Sequence, residues 1–373
     1  MTKKILILGT LHGQAEAMEA CKSIGWTVYS CGFKREGPGV DAADEFFLVD
    51  ILDIDGVTAL AKRLEVDCVY CVGSDIAMPT VAAVSEKLNL PLFHSSELTD
   101  ILHRKVRLRA FLEAHGLSRV KYATLKETLD LERFSDFPAI VKPADSQGQR
   151  GITRVNCRAE AEAALPLALK ASSTGTAIIE EWLEGREVSV HVFVVEGQIR
   201  FFLPSDRFTW QGESIGLPRA HGLPSRWLDD HTVVVIRQLV EDFVEGLNIL
   251  NGPLYFQLIL TSSGPKIVEV APRLDGCHLW RLIDERTGFN LLLATFRYLV
   301  DGIWEEPVMK EDCTTHVLNF FLAEPNSAFH SADFPPLTTG RICYLEYQLA
   351  EGDMIRDGGS PVTRVGYFVE EVS

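Results

Sequence analysis

The sequence predicts an α/β protein that opens with a parallel sheet and continues into a larger, strand-rich α+β region. Three observations predict it. Short apolar runs alternate with amphipathic helical stretches through the first hundred residues, the pattern of strands joined by crossover helices. From Val188 onward strand-like segments dominate, apart from a long helical stretch across residues 231–246. The 373 residues, 46% of them apolar, suffice for two to three domains of roughly 150 residues with a sizeable core.

Taken in order, Ile5–Leu8 reads as a strand, Gln14–Ile24 as a helix, Thr27–Ser30 as a strand and Gly56–Leu64 as a helix. Cys68–Val72 is a further strand, followed by a helix over Ala77–Leu88. Gly9 and Gly13 at the first strand–helix turn fit a Rossmann-like scaffold. The acid expected about 20 residues further on for a dinucleotide is missing, because Ser30-Cys31-Gly32-Phe33-Lys34 stands there, so NAD is not expected. After Pro91 comes one basic helical stretch, His103–Leu112, ending near Gly116. A strand at Phe137–Pro143 leads into a glycine-bearing turn, then a helix over Ala159–Ala171 and a strand at Thr176–Ile179. The last sixty residues read as strands and turns.

Charge narrows the partners. Lys+Arg 36 against Asp+Glu 52 leaves a net charge of −16, a surface that repels polyanions and argues against nucleic acid. No stretch reaches about 18 uninterrupted apolar residues, and the run at Ile5–Leu8 is too short for a signal-peptide core, so no membrane is expected. Eight scattered cysteines without framework spacing point to reduced thiols and a cytoplasmic location. Cys68 and Cys71 form a CxxC, but a strand directs them to opposite faces, so core packing is the expected role.

Four segments carry candidate chemistry. In Val141-Lys142-Pro143 and the turn through Ser146, Gly148 and Gly151, a lysine at a strand end precedes a turn whose N–H groups can surround phosphate oxygens; an ordinary hairpin turn fits equally well. The segment from Ile178 through Glu180-Glu181-Trp182-Leu183-Glu184-Gly185-Arg186-Glu187 can form a purine slot, with carboxylates for the amino edge and the ribose, or a plain strand–turn–strand with solvated acids. Tyr255–Arg273 reads as a β-hairpin turning at Ser263-Gly264. Its alternation puts Gln257 and Glu269 on one face, offering oxygens to Mg²⁺, with Arg273 at the strand end suited to a phosphate or carboxylate. Finally, Arg104-Lys105-Val106-Arg107 is a basic cluster for which solvated helix charge is the simpler account.

Lys105, the Lys142 turn, the Glu180–Glu187 run and Val268-Glu269-Val270-Ala271-Pro272-Arg273, in that order, resemble the ATP-grasp superfamily, and its carboxylate–amine ligases most of all. The likeness runs to about Leu293, and Gly352 to Val369 also fits. It implies a Rossmann-like N-terminal domain over 1–95 and a small ATP-grasp subdomain with linking helices over 96–183. A large subdomain with a β-rich extension would occupy 184–373. It implies Lys105 and Lys142 on the phosphates of ATP under a lid of Ser146, Gly148 and Gly151. Glu180 with the backbone of Glu181, Trp182 and Leu183 would hold adenine, and Glu187 the ribose. Gln257 and Glu269 would hold Mg²⁺ or Mn²⁺, and Arg273 would steady an acyl phosphate.

Two positions depart from the family pattern: many members carry Glu at Gln257 and Asn at Ala271, and the second change removes a metal-binding oxygen. The implied reaction activates a small carboxylate for attack by an amine, giving amide, ADP and phosphate, and the likeness favours a homodimer. A non-catalytic nucleotide-binding module and a bicarbonate or carbamoyl-phosphate type of enzyme are the alternatives. His278 is a candidate for proton handling, with a structural role the simpler reading. His221 either lines an acceptor pocket or lies in a surface loop, and Arg207 or Arg281 could clamp a substrate carboxylate.

Overall fold

The computed structural model of the chain describes residues 2–145, 150–210, 216–308, 314–338, 340–356 and 362–372. Its first sheet is parallel and four-stranded: β1 (Lys4–Leu8), β2 (Thr27–Gly32), β3 (Glu45–Leu48) and β4 (Cys68–Tyr70), in the order β3-β2-β1-β4. Ile5, Leu6, Ile7 and Leu8 are all fully buried, so both faces of β1 are covered. The covering elements include α1 (His12–Ser23), the short α2 (Gly39–Ala42), α3 (Ile54–Leu64) and α4 (Met78–Leu88). Local signals set the helix ends. The Asp53 carboxylate accepts from Gly56 N–H at the start of α3, and Glu65 and Asn89 end α3 and α4 in the left-handed region. Cys68 and Cys71 are both buried free thiols in this core.

The basic stretch is two helices, α5 (Ser96–His103) and α6 (Lys105–Ala114), broken at Arg104, whose backbone is extended. The break has a tertiary cause. Lys105 N–H donates to Ala144 O at 2.9 Å, tying the first turn of α6 to the turn after the lysine-bearing strand.

The second sheet is antiparallel: β5 (Tyr122–Leu125), β6 (Ala139–Pro143), β7 (Thr153–Val155) and β8 (Ala177–Glu181), in the order β5-β8-β6-β7. Helix α7 (Arg158–Ala171) packs Ala161, Leu165 and Ala168 into one small core with Val141 and Ile179. Only Trp182–Gly185 separate β8 from the third sheet.

That sheet has eight strands, every neighbouring pair antiparallel: β9 (Arg186–Val195), β10 (Gln198–Thr209), β11 (Pro218–Leu223), β12 (Gly252–Thr261), β13 (Gly264–Ala271), β14 (Thr315–Ala323), β15 (Arg341–Tyr347) and β16 (Thr363–Val372). Their order is β13-β12-β9-β10-β11-β14-β16-β15. Alternation sorts its two faces. Val188, Val190, Val192 and Val194 join Leu254, Phe256, Leu258 and the helix α8 (Asp230–Gly246) in an apolar core. The residues between them, Glu187, Ser189 and His191, turn to the other face.

One part of the sequence reading is corrected. The strand-dominated stretch contains two helices, α9 (Leu279–Thr287) and α10 (Leu291–Asp301), packed against the N-terminal sheet through Leu282, Ile283, Leu292 and Phe296. The second is apolar nearly all round, a run that periodicity cannot tell from a buried strand.

Candidate active site

The two antiparallel sheets meet over a chain of buried charges. Glu180, the penultimate residue of β8, receives Arg109 Nε at 2.8 Å, Arg109 Nη2 at 3.0 Å and Lys142 Nζ at 2.8 Å. All three side chains are nearly inaccessible. Burial alone would raise the Glu180 carboxyl, but Arg109 and Lys142 outweigh it and bring it down to about 2. Burial pulls the Lys142 ammonium below its usual value; Glu180 pushes back, while Arg109 and Lys105 lower it further. Arg109 also donates to Ile267 O at 2.6 Å, so it straps the small sheet to β13.

The polar face of the large sheet continues the site. Gln257 and Glu269 are direct cross-strand partners on β12 and β13. Burial would raise Glu269, yet Lys105, Lys142, Arg273 and Arg207 together hold it below the ordinary carboxylate range. These four cations come from α6, β6, the end of β13 and β10. Beside them Glu187 accepts from Arg207 Nη1, from Gln257 Nε2 at 2.9 Å and from Thr209 Oγ1 at 3.1 Å.

The N-terminal sheet closes the far side. Asp75, just after β4, pairs with Arg273, whose Nη1 also donates to Leu274 O at 2.8 Å. The backbones beneath touch: a Cβ on Gly276 would lie 2.8 Å from Gly73 O, and Gly73 has φ +66°. A second network joins the same parts. Glu16 on α1 takes His278 Nδ1 at 2.5 Å and Trp280 Nε1 at 2.7 Å, while His278 Nε2 lies 3.2 Å from Gln348 Nε2 and its ring stacks on Tyr367.

The predicted residues fall out as follows. Lys105, Lys142, Glu269 and Arg273 act electrostatically on one point, and Glu180, Glu187 and Gln257 adjoin it. Glu181, Trp182 and Leu183 are half-buried where the two sheets connect; Trp182 N–H donates to Pro138 O at 2.9 Å, and Arg154 lies over the indole at 4.4 Å. Gly151 has φ +70°, and a Cβ there would meet Ala171 Cβ at 2.8 Å and Pro143 Cγ at 3.1 Å, so the turn needs glycine. Ser146 and Gly148 lie outside the described residues. Arg104 and Arg107 pair with Asp100 and Glu97 on the surface, as solvated helix charge does.

His278 has both ring nitrogens engaged, Nδ1 with Glu16 and Nε2 beside Gln348. His221 is no surface-loop residue: it sits on β11, fully buried. Of the two suggested clamps, Arg207 is held by Glu187, and Arg281 lies 3.5 Å from Glu16 with its guanidinium over Tyr344. Sequence reasoning pointed to Gly73-Ser74-Asp75 as a source of specificity but not to the pairing of Asp75 with Arg273; it missed Arg109 and Glu16. Arg109 shares a helix face with Lys105, a signal that was available. Nothing local marks Glu16.

Two antiparallel sheets meeting over buried charges, backed by a parallel sheet, are the layout of the ATP-grasp fold. Residues 104–277 match the model of the ATP-grasp domain. The chain is similar to the phosphoribosylamine–glycine ligase of Caulobacter vibrioides, 28% identical over 256 residues that make up 63% of this chain and 59% of that protein. The chain thus spans less than two thirds of that relative. In fold it resembles the L-amino acid ligase of Bacillus licheniformis, with TM-score 0.81 and 18% identity over 99% of this chain and 93% of that one. It also resembles the biotin carboxylase domain of Hydrogenobacter thermophilus 2-oxoglutarate carboxylase, with TM-score 0.78 and 15% identity over 100% of this chain and 86% of that one.

Proposed function

We propose that this chain is an ATP-dependent ligase that joins a small carboxylic acid to an amine, at least one of them an amino acid. The observation that carries the proposal is the gathering of Lys105, Lys142, Arg207 and Arg273 around the ionised Glu269. Lys142, Arg207 and Arg273 are also paired with Glu180, Glu187 and Asp75, and a polyphosphate with its divalent ion fits such an array of both signs. Relatives named for glycine ligation and L-amino acid ligation support the amino-acid class of substrate.

In this reading Lys105 and Lys142 hold the phosphates under the Ser146–Gly151 turn. The backbone of Glu181 to Leu183 holds adenine, with Glu180 fixing Lys142 beside it, and Glu187 faces the ribose. The donor set fits Mg²⁺, since Glu269 is kept anionic and Gln257, its Nε2 given to Glu187, has Oε1 available. Mg²⁺ would neutralise the charge that develops on the transferring phosphoryl group. The Ala271 side chain adds no oxygen, so the side chains of Glu269 and Gln257 would be the ones to hold the ion.

A carboxylate is a poor electrophile because its leaving group would be oxide. Its oxygen attacks the γ-phosphorus of ATP and ADP departs; the amine then attacks the acyl carbon, the C–O bond to phosphate breaks, and the amine loses a proton. Arg273 steadies the acyl phosphate, and Asp75 sets where Arg273 points. Catalysis is positioning and charge neutralisation. His278 orients the loop that follows Arg273 rather than carrying the proton.

The seven described cysteines are free, which supports a cytoplasmic protein, and no described helix is long and apolar enough to cross a membrane. A homodimer is the assembly this reading favours, to be checked by light scattering. The test of function is a screen of amino-acid pairs for ADP release. ADP should form only when acid, amine and Mg²⁺ are all present, and Lys142→Ala should abolish it. Full turnover by that variant discards the assignment.

A further inference from the structure

Apart from the nucleotide-facing cations, three electron-pair donors converge below the large sheet. They are His221 on β11 and Asp275 and Cys277 in the loop between β13 and α9, and one ligand atom of each lies within 4.8 Å of the others. His221 is fully buried and neither of its ring nitrogens has a hydrogen-bond partner. Leaving a buried imidazole unpaired costs on the order of 1–3 kcal/mol, so the position calls for a ligand. Carboxylate, thiol sulfur and imidazole all offer lone pairs, and what accepts from all three at once is a cation.

The mixture of N, O and S is of borderline softness and suits zinc. With bonds of about 2.0–2.3 Å, tetrahedral geometry sets the donor atoms roughly 3.3–3.8 Å apart, so a contraction of about 1 Å brings the three donors to bonding distance and leaves the fourth position to water. Outer partners are already in place. Cys277 N–H donates to Asp275 Oδ2 at 2.9 Å, and Arg364 Nη2 donates to Cys277 Sγ at 3.3 Å, contacts of the kind that orient metal ligands. A carboxylate and a thiolate match a divalent ion; of the neighbouring cations, Arg207 is paired with Glu187, and Arg364 adds one positive charge beside the sulfur.

We propose that His221, Asp275 and Cys277 bind one zinc ion, which fastens the loop carrying Arg273 and His278 to the large sheet. The second such cluster among the described residues, His316, Cys343 and Glu371, differs: its Glu371 is already taken by Arg341, so it serves as the internal control.

The test uses the full chain, stripped with EDTA, loaded with zinc chloride, passed through gel filtration and assayed for metal by plasma mass spectrometry. Wild type should retain one zinc per chain. His221→Ala and Cys277→Ser should each weaken retention by at least about tenfold, while Cys343→Ser keeps it. Cobalt in place of zinc should give a sulfur-to-cobalt charge-transfer band that Cys277→Ser lacks. Should a variant not fold, alkylation of Cys277 in wild type, read by peptide mapping, decides instead: zinc slows it. Substoichiometric zinc in wild type, equal retention by the folded His221→Ala protein, or an alkylation rate indifferent to zinc overturns the proposal.

Discussion

Replacing Glu180 with glutamine tests the buried charge chain directly. The change keeps the side-chain shape but leaves Arg109 and Lys142, both nearly inaccessible, without the carboxylate that receives their three hydrogen bonds. Two routes give the cost. The Glu180 carboxyl lies at about 2 rather than 4.5, a net difference worth roughly 3 kcal/mol after its own burial penalty. Removing one member of a buried ion pair costs about 3–5 kcal/mol. Urea unfolding at pH 7, followed by the fluorescence of the six tryptophans, should show a midpoint lower by roughly 1–2 M. Adding Arg109→Met in the same background should recover part of the loss, because one orphaned cation is removed. A Glu180→Gln protein within about 0.5 kcal/mol of wild type, or a double variant worse than the sum of its parts, would refute the claim that Glu180 acts as the counterion of both.

Further expectations follow from the same geometry. Burial holds His94 and His191 down to about 4, and burial with the neighbouring Arg207 and Arg364 keeps His221 well below the 6.5 of an exposed histidine. Below pH 6.5 the unfolded chain therefore binds protons that the folded one refuses, and stability falls from there toward pH 4 by up to about 3 kcal/mol for each of the first two; urea midpoints at pH 7, 5.5 and 4.5 that do not decline would contradict this. Glu180, whose carboxyl is depressed, adds a loss between pH 4.5 and 2. Gly276→Ala, with its Cβ 2.8 Å from Gly73 O, should cost about 1–3 kcal/mol and lower ADP release by pushing the N-terminal sheet off the site, read by thermal unfolding and coupled assay. Gln257→Glu sets a second carboxylate where Glu187 now accepts at 2.9 Å; its melting temperature should fall without Mg²⁺ and rise more than wild type with it, and a metal-independent melting point would count against the metal assignment.

How far the sequence carried depended on the range of the interactions. The hairpin that pairs Gln257 with Glu269 was legible because alternation and the Ser263-Gly264 turn are local, and the register followed from them. The break at Arg104 was not, since helix-forming residues continue on both sides and the cause is a hydrogen bond to Ala144. Arg109 looked like one more charge on a basic helix until Glu180, 71 residues away, came to meet it. Arg273 was singled out by its place after β13, but its partner Asp75 is 198 residues distant and belongs to another sheet. His221 in Arg219-Ala220-His221-Gly222 had no neighbour in sequence to suggest that it would be sealed inside.

The tether between Lys105 N–H and Ala144 O has a kinematic meaning. It makes the first turn of α6 and the end of β6 a single lever, so the ammonium groups of Lys105 and Lys142 advance or retreat as a pair. A hinge motion of the small sheet would present both charges to an incoming triphosphate at once, and a substitution loosening that tether would blur the timing of capture without touching either lysine.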